Sequence, residues 1–275
     1  MKKRLTAALL AAAAAFTMTA CSSGNGADYV VGICQYAPHP SLDQATEGFV
    51  DALNAEMEKA APHDSLYHCL VHAAHQFRVQ KQDDPEEYVL AGYPWFKCRA
   101  RDMFISLPGL TLAIEEKAKY EEMMTTASKA IRNFINDEPD DLKVYEMEHP
   151  DVLLWAVWCI QQYAKMISKE ECREKYGAIL AEIMEYLRFE NHPNLFLHGN
   201  GLLYTNGHDR AVTWMNSTAN GRPVTPRTGY VVEINALWYN ALCFAQQLTN
   251  DVAVRTELEK LATDVAQSFT ATFWN

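Results

Sequence analysis

Apolar residues recur every three or four positions over most of the chain after Ser65. In 112–135, Leu112, Tyr120, Met124, Ala127, Ile131 and Phe134 fall on one helical stripe, and in 174–189 Tyr176, Leu180, Ile183 and Leu187 repeat the theme. A stripe at that spacing gives a helix one side to bury. The same periodicity predicts further helices over 66–80, 102–117, 152–167, 230–248 and 252–272, with short acidic or proline-containing connectors such as "NDEPDD" and "FENHP" between some of them. Helices joined that closely fold back on one another, so the predicted body is all-α and made of antiparallel hairpins.

Two stretches depart from this pattern. Residues 190–229 hold about forty positions rich in Gly, Asn, Pro and Thr, interleaved with Leu, Phe, Tyr, Trp and Met. A connection that long in a helical domain is functional or disordered, and its apolar residues favour a folded ligand loop. At the other end, "MKKR" followed by "LTAALLAAAAAFTMTA" has the charged and apolar regions of a secretory signal and is too short for a spanning helix. Residues 28–53 then run from a short apolar stretch through a polar turn into an amphipathic segment, as a βα unit opens.

Composition narrows the function classes. With 275 residues, 49% hydrophobic and 21% charged, the chain can bury a sizeable core. The net charge of -11, with no Lys/Arg-rich block beyond the first four residues, argues against a nucleic-acid surface and against general attraction to anionic lipid. Neutral or cationic ligands fit better. His68, His72 and His75 share roughly one helical stripe, but a helix supplies no fourth ligand and the same positions suit packing, so no metal and no cofactor is expected. Seven cysteines without a CxxC, scattered through helical patterns apart from Cys21, read as reduced thiols of a cytosolic protein rather than an exported disulfide framework.

Candidate chemistry gathers in three places. "AGYPWFKCRARDMF" at 91–104 sets Tyr93 and Trp95 beside Lys97, Arg99, Arg101 and Asp102. Rings and charges crowd together at a cost unless they converge on something polar with flat apolar faces, as a sugar is. The Arg101–Asp102 pair equally fits a helix-end salt bridge among core aromatics. Asp151 opens a helix in "HPDVLLWAVW", with Trp155 one turn on, and equally fits a plain first-turn carboxylate after Pro150. Glu233 lies inside the apolar "YVVEINALWYNAL" and needs a partner, either Arg227 or a sugar hydroxyl.

The blocks "AGYPWFKCRARDMFISLPGLTLAI", "HPDVLLWAVWCIQQYAK" and "TWMNSTANGRPVTPRTGYVVEINALWYNAL", in that order, resemble the C-terminal amylo-α-1,6-glucosidase domain of glycogen debranching enzymes over about 65–275. The resemblance implies an (α/α)6 toroid, hydrolysis of the glucose left at a branch point, and glycogen or a branched α-glucan as partner. Glycoside hydrolysis needs a carboxyl to protonate the leaving oxygen and a carboxylate to activate water. On this resemblance Asp151 is the general acid, Arg101 and Asp102 bind hydroxyls of the terminal glucose, and Tyr93 and Trp95 wall the ring. Trp155, Trp214, Arg227, Glu233 and Trp238 become sugar contacts. Asn216 stands where many members carry Asp, so a contact there would be a neutral amide.

The N-terminal residues resemble something else. "MTAC" is similar to a bacterial lipobox with Cys21 as the lipidated residue, and the order of lipobox, tether and "VGICQYAPHPSLDQATEGFVDAL" resembles the start of an ABC-transporter substrate-binding lipoprotein. The expected organisation is therefore a signal peptide over 1–20, a tether and binding-protein-like segment over 21–57, and a glycosidase domain over 58–275. That domain reads as a partial toroid, because about seven helices are counted where the resemblance implies twelve and the implied water-activating carboxylate lies further on; an inactive fragment is expected. The signal places the chain in the cell envelope, with the membrane reached only through a lipid at Cys21, whereas the thiols and substrate class point to the cytoplasm, as for a join of two unrelated segments near 54–64. A substrate-binding lipoprotein is the alternative, requiring a parallel sheet after residue 60; a sugar-binding remnant without turnover is a third reading.

Overall fold

The structure, a computed structural model, describes residues 66–274 apart from 81–83, 94, 140–141 and 190–191. The expected signal peptide, the lipidation at Cys21 and the tether and βα-like segment lie outside the described residues, as do the side chains of Leu66 and His68. Contacts divide the chain into two compact units, Met1–His72 and Ala73–Asn275. The second holds nearly all that follows.

Seven α-helices are found among the described residues: α1 (Leu66–Gln76), α2 (Ala100–Leu110), α3 (Lys117–Ile135), α4 (Val152–Met166), α5 (Lys169–Phe189), α6 (Val232–Leu248) and α7 (Val252–Phe273). Two elements are shorter than their periodicity predicts. Helix α1 stops at Gln76 because residues 78–80 pair instead as β1 (Arg78–Gln80) with β2 (Glu87–Val89), burying Tyr88 and Val89. Helix α2 carries Pro108 in its last turn, which has no N–H to return to Phe104, and the chain tightens into a 3-10 turn over Leu112–Ile114.

Which helix lies in the middle follows from composition. The run "VLLWAVWCI" makes α4 apolar nearly all round, and it packs between α2 and α6. Helices α3, α5 and α7 are one-sided. In α5 the buried stripe is Cys172, Tyr176, Ile179, Leu180, Ile183 and Leu187, and α7 buries only Leu258, Ala262 and Val265, spaced by four and three. Two-residue and three-residue connections after Met166 and Leu248 fold α5 back on α4 and α7 back on α6. Cys69, Cys98, Cys159, Cys172 and Cys243 are free thiols, and burial pushes those of Cys159 and Cys172 up to about 12.

The segment expected to be a ligand loop is folded, with more strand than an all-α reading anticipates. β3 (Leu195–Leu197), β4 (Leu203–Thr205) and β7 (Gly229–Tyr230) form an antiparallel sheet with Leu195 opposite Thr205 and Thr205 opposite Gly229. Between β4 and β7 a small hairpin joins β5 (Thr218–Ala219) to β6 (Arg222–Pro223). Gly229 has φ 109, a conformation that favours glycine, as the chain turns from the loop into α6. Buried Asn235 of α6 accepts from the Leu203 N–H at 2.8 Å and donates to its carbonyl at 3.0 Å, so the helix takes the place of a strand partner to β4. No parallel sheet, the mark of the transporter reading, occurs among the described residues.

Directions follow from specific bonds. The Ala100 N–H donates to the Tyr145 carbonyl, and Arg101 in the first turn of α2 bonds Asp151 at the start of α4, so these two helices begin side by side. The Asn194 side chain donates to the Glu148 carbonyl at 3.1 Å, the Asn206 N–H donates to the Asn194 carbonyl, and β4 pairs with β7, which leads directly into α6. The N-termini of α2, α4 and α6 therefore lie at one end of the helical body.

A polar cluster fastens α3, α4 and α5. The buried Tyr163 hydroxyl lies 2.6 Å from Glu121 and 2.9 Å from Glu171, Lys175 reaches Glu121 at 2.5 Å, and Lys117 reaches Glu171 at 2.5 Å. Burial works to raise the Glu121 carboxyl, but hydrogen bonds from Lys175 and Tyr163 outweigh it and hold the group below its ordinary 4.5. As pH falls through that range the unfolded chain takes up the proton first, so the stability from this carboxylate is present above about 4.5 and is lost below it. Glu121→Gln should flatten the acid limb of the stability curve below about 4.5 while lowering stability at pH 7, as read from urea midpoints between pH 6 and pH 3.

Candidate active site

The end where α2, α4 and α6 begin carries the charged side chains singled out in the sequence. Arg101 is 7% exposed and Asp151 3%. The Arg101 Nε donates to Asp151 Oδ2 at 2.7 Å and an Arg101 terminal nitrogen donates to Oδ1 at 2.8 Å, a two-pronged pair that occupies both carboxylate oxygens. The same Arg101 nitrogen lies 3.0 Å from His149 Nδ1. Arginine only donates, so Nδ1 accepts and the imidazole proton sits on Nε2. Burial, then the Arg101 charge, hold His149 below its ordinary 6.5, which keeps it neutral in that role. Neighbouring His192 is brought down to about 4 by burial and then by His149.

Asp102, also in the first turn of α2, is half-buried, and its carboxylate has no partner among the described residues. Arg101 therefore pairs across to α4 rather than with its neighbour in sequence. Asp151 begins α4 without capping it: no side-chain cap bond forms, because both oxygens are on Arg101.

A second cluster forms at the start of α6. Glu233 takes Arg227 as its partner, and the Trp214 indole N–H donates to the same Glu233 oxygen at 3.3 Å. Arg227 also directs a terminal nitrogen at Met215 Sδ, 3.1 Å away, while its Nε is buried without a partner. The other Glu233 oxygen accepts no hydrogen bond among the described residues. Gly207 sets this geometry, since a Cβ there would stand 2.6 Å from the Arg227 carbonyl oxygen. Trp214 is 61% exposed, leaving its ring open to a flat ligand.

The remaining candidates divide. Tyr93 and Trp95 are exposed on the segment that leads into α2; Tyr93 bonds the Gln76 carbonyl through its hydroxyl and leans on Phe77. Asn216 is exposed just before the β5–β6 hairpin. Trp155 is half-buried and stands edge-on to Trp158 at 5.6 Å. Trp238 is fully buried and donates its indole N–H to the Gly201 carbonyl at 3.1 Å, so in this conformation it offers a ligand no surface. His149 and Met215 do not stand out in the sequence. The only signal for His149 is its place two residues before Asp151, and for Met215 its place beside Trp214.

Residues 72–275 match the family model for amylo-alpha-1,6-glucosidase. The chain belongs to that family. The amylo-alpha-1,6-glucosidase family suggests a glycoside hydrolase of the glycogen debranching type, with a glucan as the general class of substrate. A search among curated proteins finds no match. No helix among the described residues is long and apolar enough to cross a membrane.

The buried pair has a measurable signature. Asp151→Asn strips the charge from beside a guanidinium that is 7% exposed, and should cost about 3–5 kcal/mol in urea denaturation. Asp102→Asn, which breaks no described bond, should cost less than about 1 kcal/mol in the same measurement.

Proposed function

We propose that the chain acts on α-1,6-linked glucose at branch points of glycogen or a related α-glucan, at the end where α2, α4 and α6 begin. One observation carries this reading: three helices far apart in sequence bring Arg101, Asp102, Asp151 and Glu233 to one end, with the exposed Trp214 ring beside Glu233. Carboxylates with free oxygens accept sugar hydroxyls or orient water, and an exposed indole stacks on a pyranose face. On this reading α2, α4 and α6 belong to the inner ring and α3, α5 and α7 to the outer ring of a partial (α/α)6 toroid.

The roles are assigned by access. While the Arg101–Asp151 pair is closed, Asp151 holds Arg101 in place and has no oxygen to offer; it serves as general acid only by releasing Arg101. Asp102 is the unpaired carboxyl of this end, and Glu233, steadied through one oxygen by Arg227 and Trp214, has the other free to orient water. Tyr93 and Trp95 wall the sugar from the α2 side, and Asn216 offers an amide contact.

Incubating the purified protein with a phosphorylase limit dextrin and assaying free glucose tests the reading. In place of the inactivity expected from the sequence, release proportional to enzyme is expected because Glu233 has an oxygen free to orient water, and Glu233→Gln should cut it by about 10²- to 10⁴-fold, the share a general base supplies. Sugar binding with no release would reduce the site to a carbohydrate-binding one. Loss of turnover in Asp151→Asn under conditions where that variant is still folded, with Asp102→Asn still active, would return the acid role to Asp151.

A further inference from the structure

One terminal nitrogen of Arg101 serves two acceptors. It donates to Asp151 Oδ1 at 2.8 Å and lies 3.0 Å from His149 Nδ1. With the proton of the neutral imidazole on Nε2, the lone pair left to take a second proton is the one that faces Arg101. A proton and the guanidinium therefore compete for a single site. Arginine stays charged at any ordinary pH, so protonating His149 sets two cations 3.0 Å apart, with donors on both and no acceptor between them.

The charges around the buried imidazole show where each partner then goes. Arg101 faces it from α2 and disfavours its cation, whereas Glu146, Glu148 and Asp151 of its own segment favour it. His192, from the segment after α5, acts on it as well. Glu146 Oε2 lies 3.8 Å from His149 Nδ1, too far for a hydrogen bond to the neutral ring but in reach of a small rotation of the protonated one. His192 accepts the Asn194 N–H through its own Nδ1 and is held down to about 4, so it stays neutral in weak acid. Burial, then Arg101, keep His149 below 6.5, so the closed arrangement is the one present at neutral pH. Because the unfolded chain takes up that proton first, opening comes with a loss of stability as pH falls below 6.5.

We propose that His149 is a positioning residue that couples the availability of Asp151 to pH. Neutral, it holds the shared Arg101 nitrogen against Asp151 Oδ1. Protonated from solvent at Nδ1, it turns to Glu146, displaces that nitrogen and leaves Oδ1 open, while the 2.7 Å bond from Arg101 Nε to Oδ2 still ties α2 to α4. The inference rests on the hydrolytic reading above only for the use of the freed oxygen, which can then carry the proton a general acid delivers.

Carbodiimide labelling with an amine nucleophile reads the opening without substrate, since an accessible carboxyl is activated and trapped as an amide. The full 275-residue protein is labelled at pH 7.5 and at pH 5 and mapped by mass spectrometry, with the half-buried, unpaired Asp102 as internal reference. Labelling of Asp151 relative to Asp102 should rise about tenfold or more at pH 5, as loss of one hydrogen bond to a charged group implies. His149→Gln, whose amide oxygen accepts from Arg101 at either pH, should keep the ratio low at both, and His149→Asn serves as the second variant. Thermal unfolding at each pH checks that the proteins labelled are folded. A flat ratio in the parent protein overturns the inference whichever variants fold. An undiminished rise in a folded His149 variant, or its loss in His192→Gln alone, also overturns it by giving the switch to another group. If the ratio behaves as expected and limit dextrin releases no glucose at either pH, the positioning role stands and the hydrolytic reading falls.

Discussion

The Arg101–Asp151 pair is the interaction on which the charged end of this fold depends. It joins the first turn of α2 to the residue that opens α4 across a fifty-residue interval of sequence, in a place where both partners are buried. Two buried charges with good geometry gain little net stability over an apolar pair, but each forbids the loss of the other. The arrangement therefore fixes where two helices begin rather than adding much to the strength of their packing. His149 extends the pair as a neutral acceptor, a role that burial and the guanidinium charge both enforce.

Around that point the starts and the middles of the central helices differ in chemistry. The middles of α4 and α6 are held by apolar packing, with Gln161 and Asn240 exchanging amide bonds between them at 3.2 Å. The starts of the same helices carry the ionised groups, which suits the partial positive charge of helix N-termini for the carboxylates of Asp102 and Glu233. Rigid packing behind and polar groups in front is the division of labour expected of a site that must hold its geometry while binding a hydrated ligand.

Periodicity along the chain is enough to find most of the helices and one of the charged clusters. The spacing of Tyr176, Leu180, Ile183 and Leu187 is the buried stripe of α5, and the need of Glu233 for a partner is visible because a carboxylate among Val, Ile and Leu cannot remain alone. Local pattern does not show pairing between distant segments. Arg101 sits beside Asp102 in the chain, yet helical geometry turns adjacent residues to different sides, and the arginine goes to Asp151. Trp238 shares its helix face with core residues, so its indole nitrogen is spent on Gly201 rather than on a ligand. The short strands within 195–230 escape detection for a related reason: each spans two or three residues and gains its order from partners, not from its own alternation.

The antiparallel pairing of Thr205 with Gly229 closes the base of everything between them. Because Asn235 also ties β4 to α6, the residues from Asn206 to Thr228 leave and return through a closed base, held besides by Gly207 against Arg227 and by Arg227 on Glu233. Such an excursion behaves as an exchangeable cassette: its tip, with Trp214, Asn216 and the β5–β6 hairpin, can diversify while the helix starts stay in register. Variation at that tip can then arise by replacing a surface insert, with no repacking of the helices that carry it.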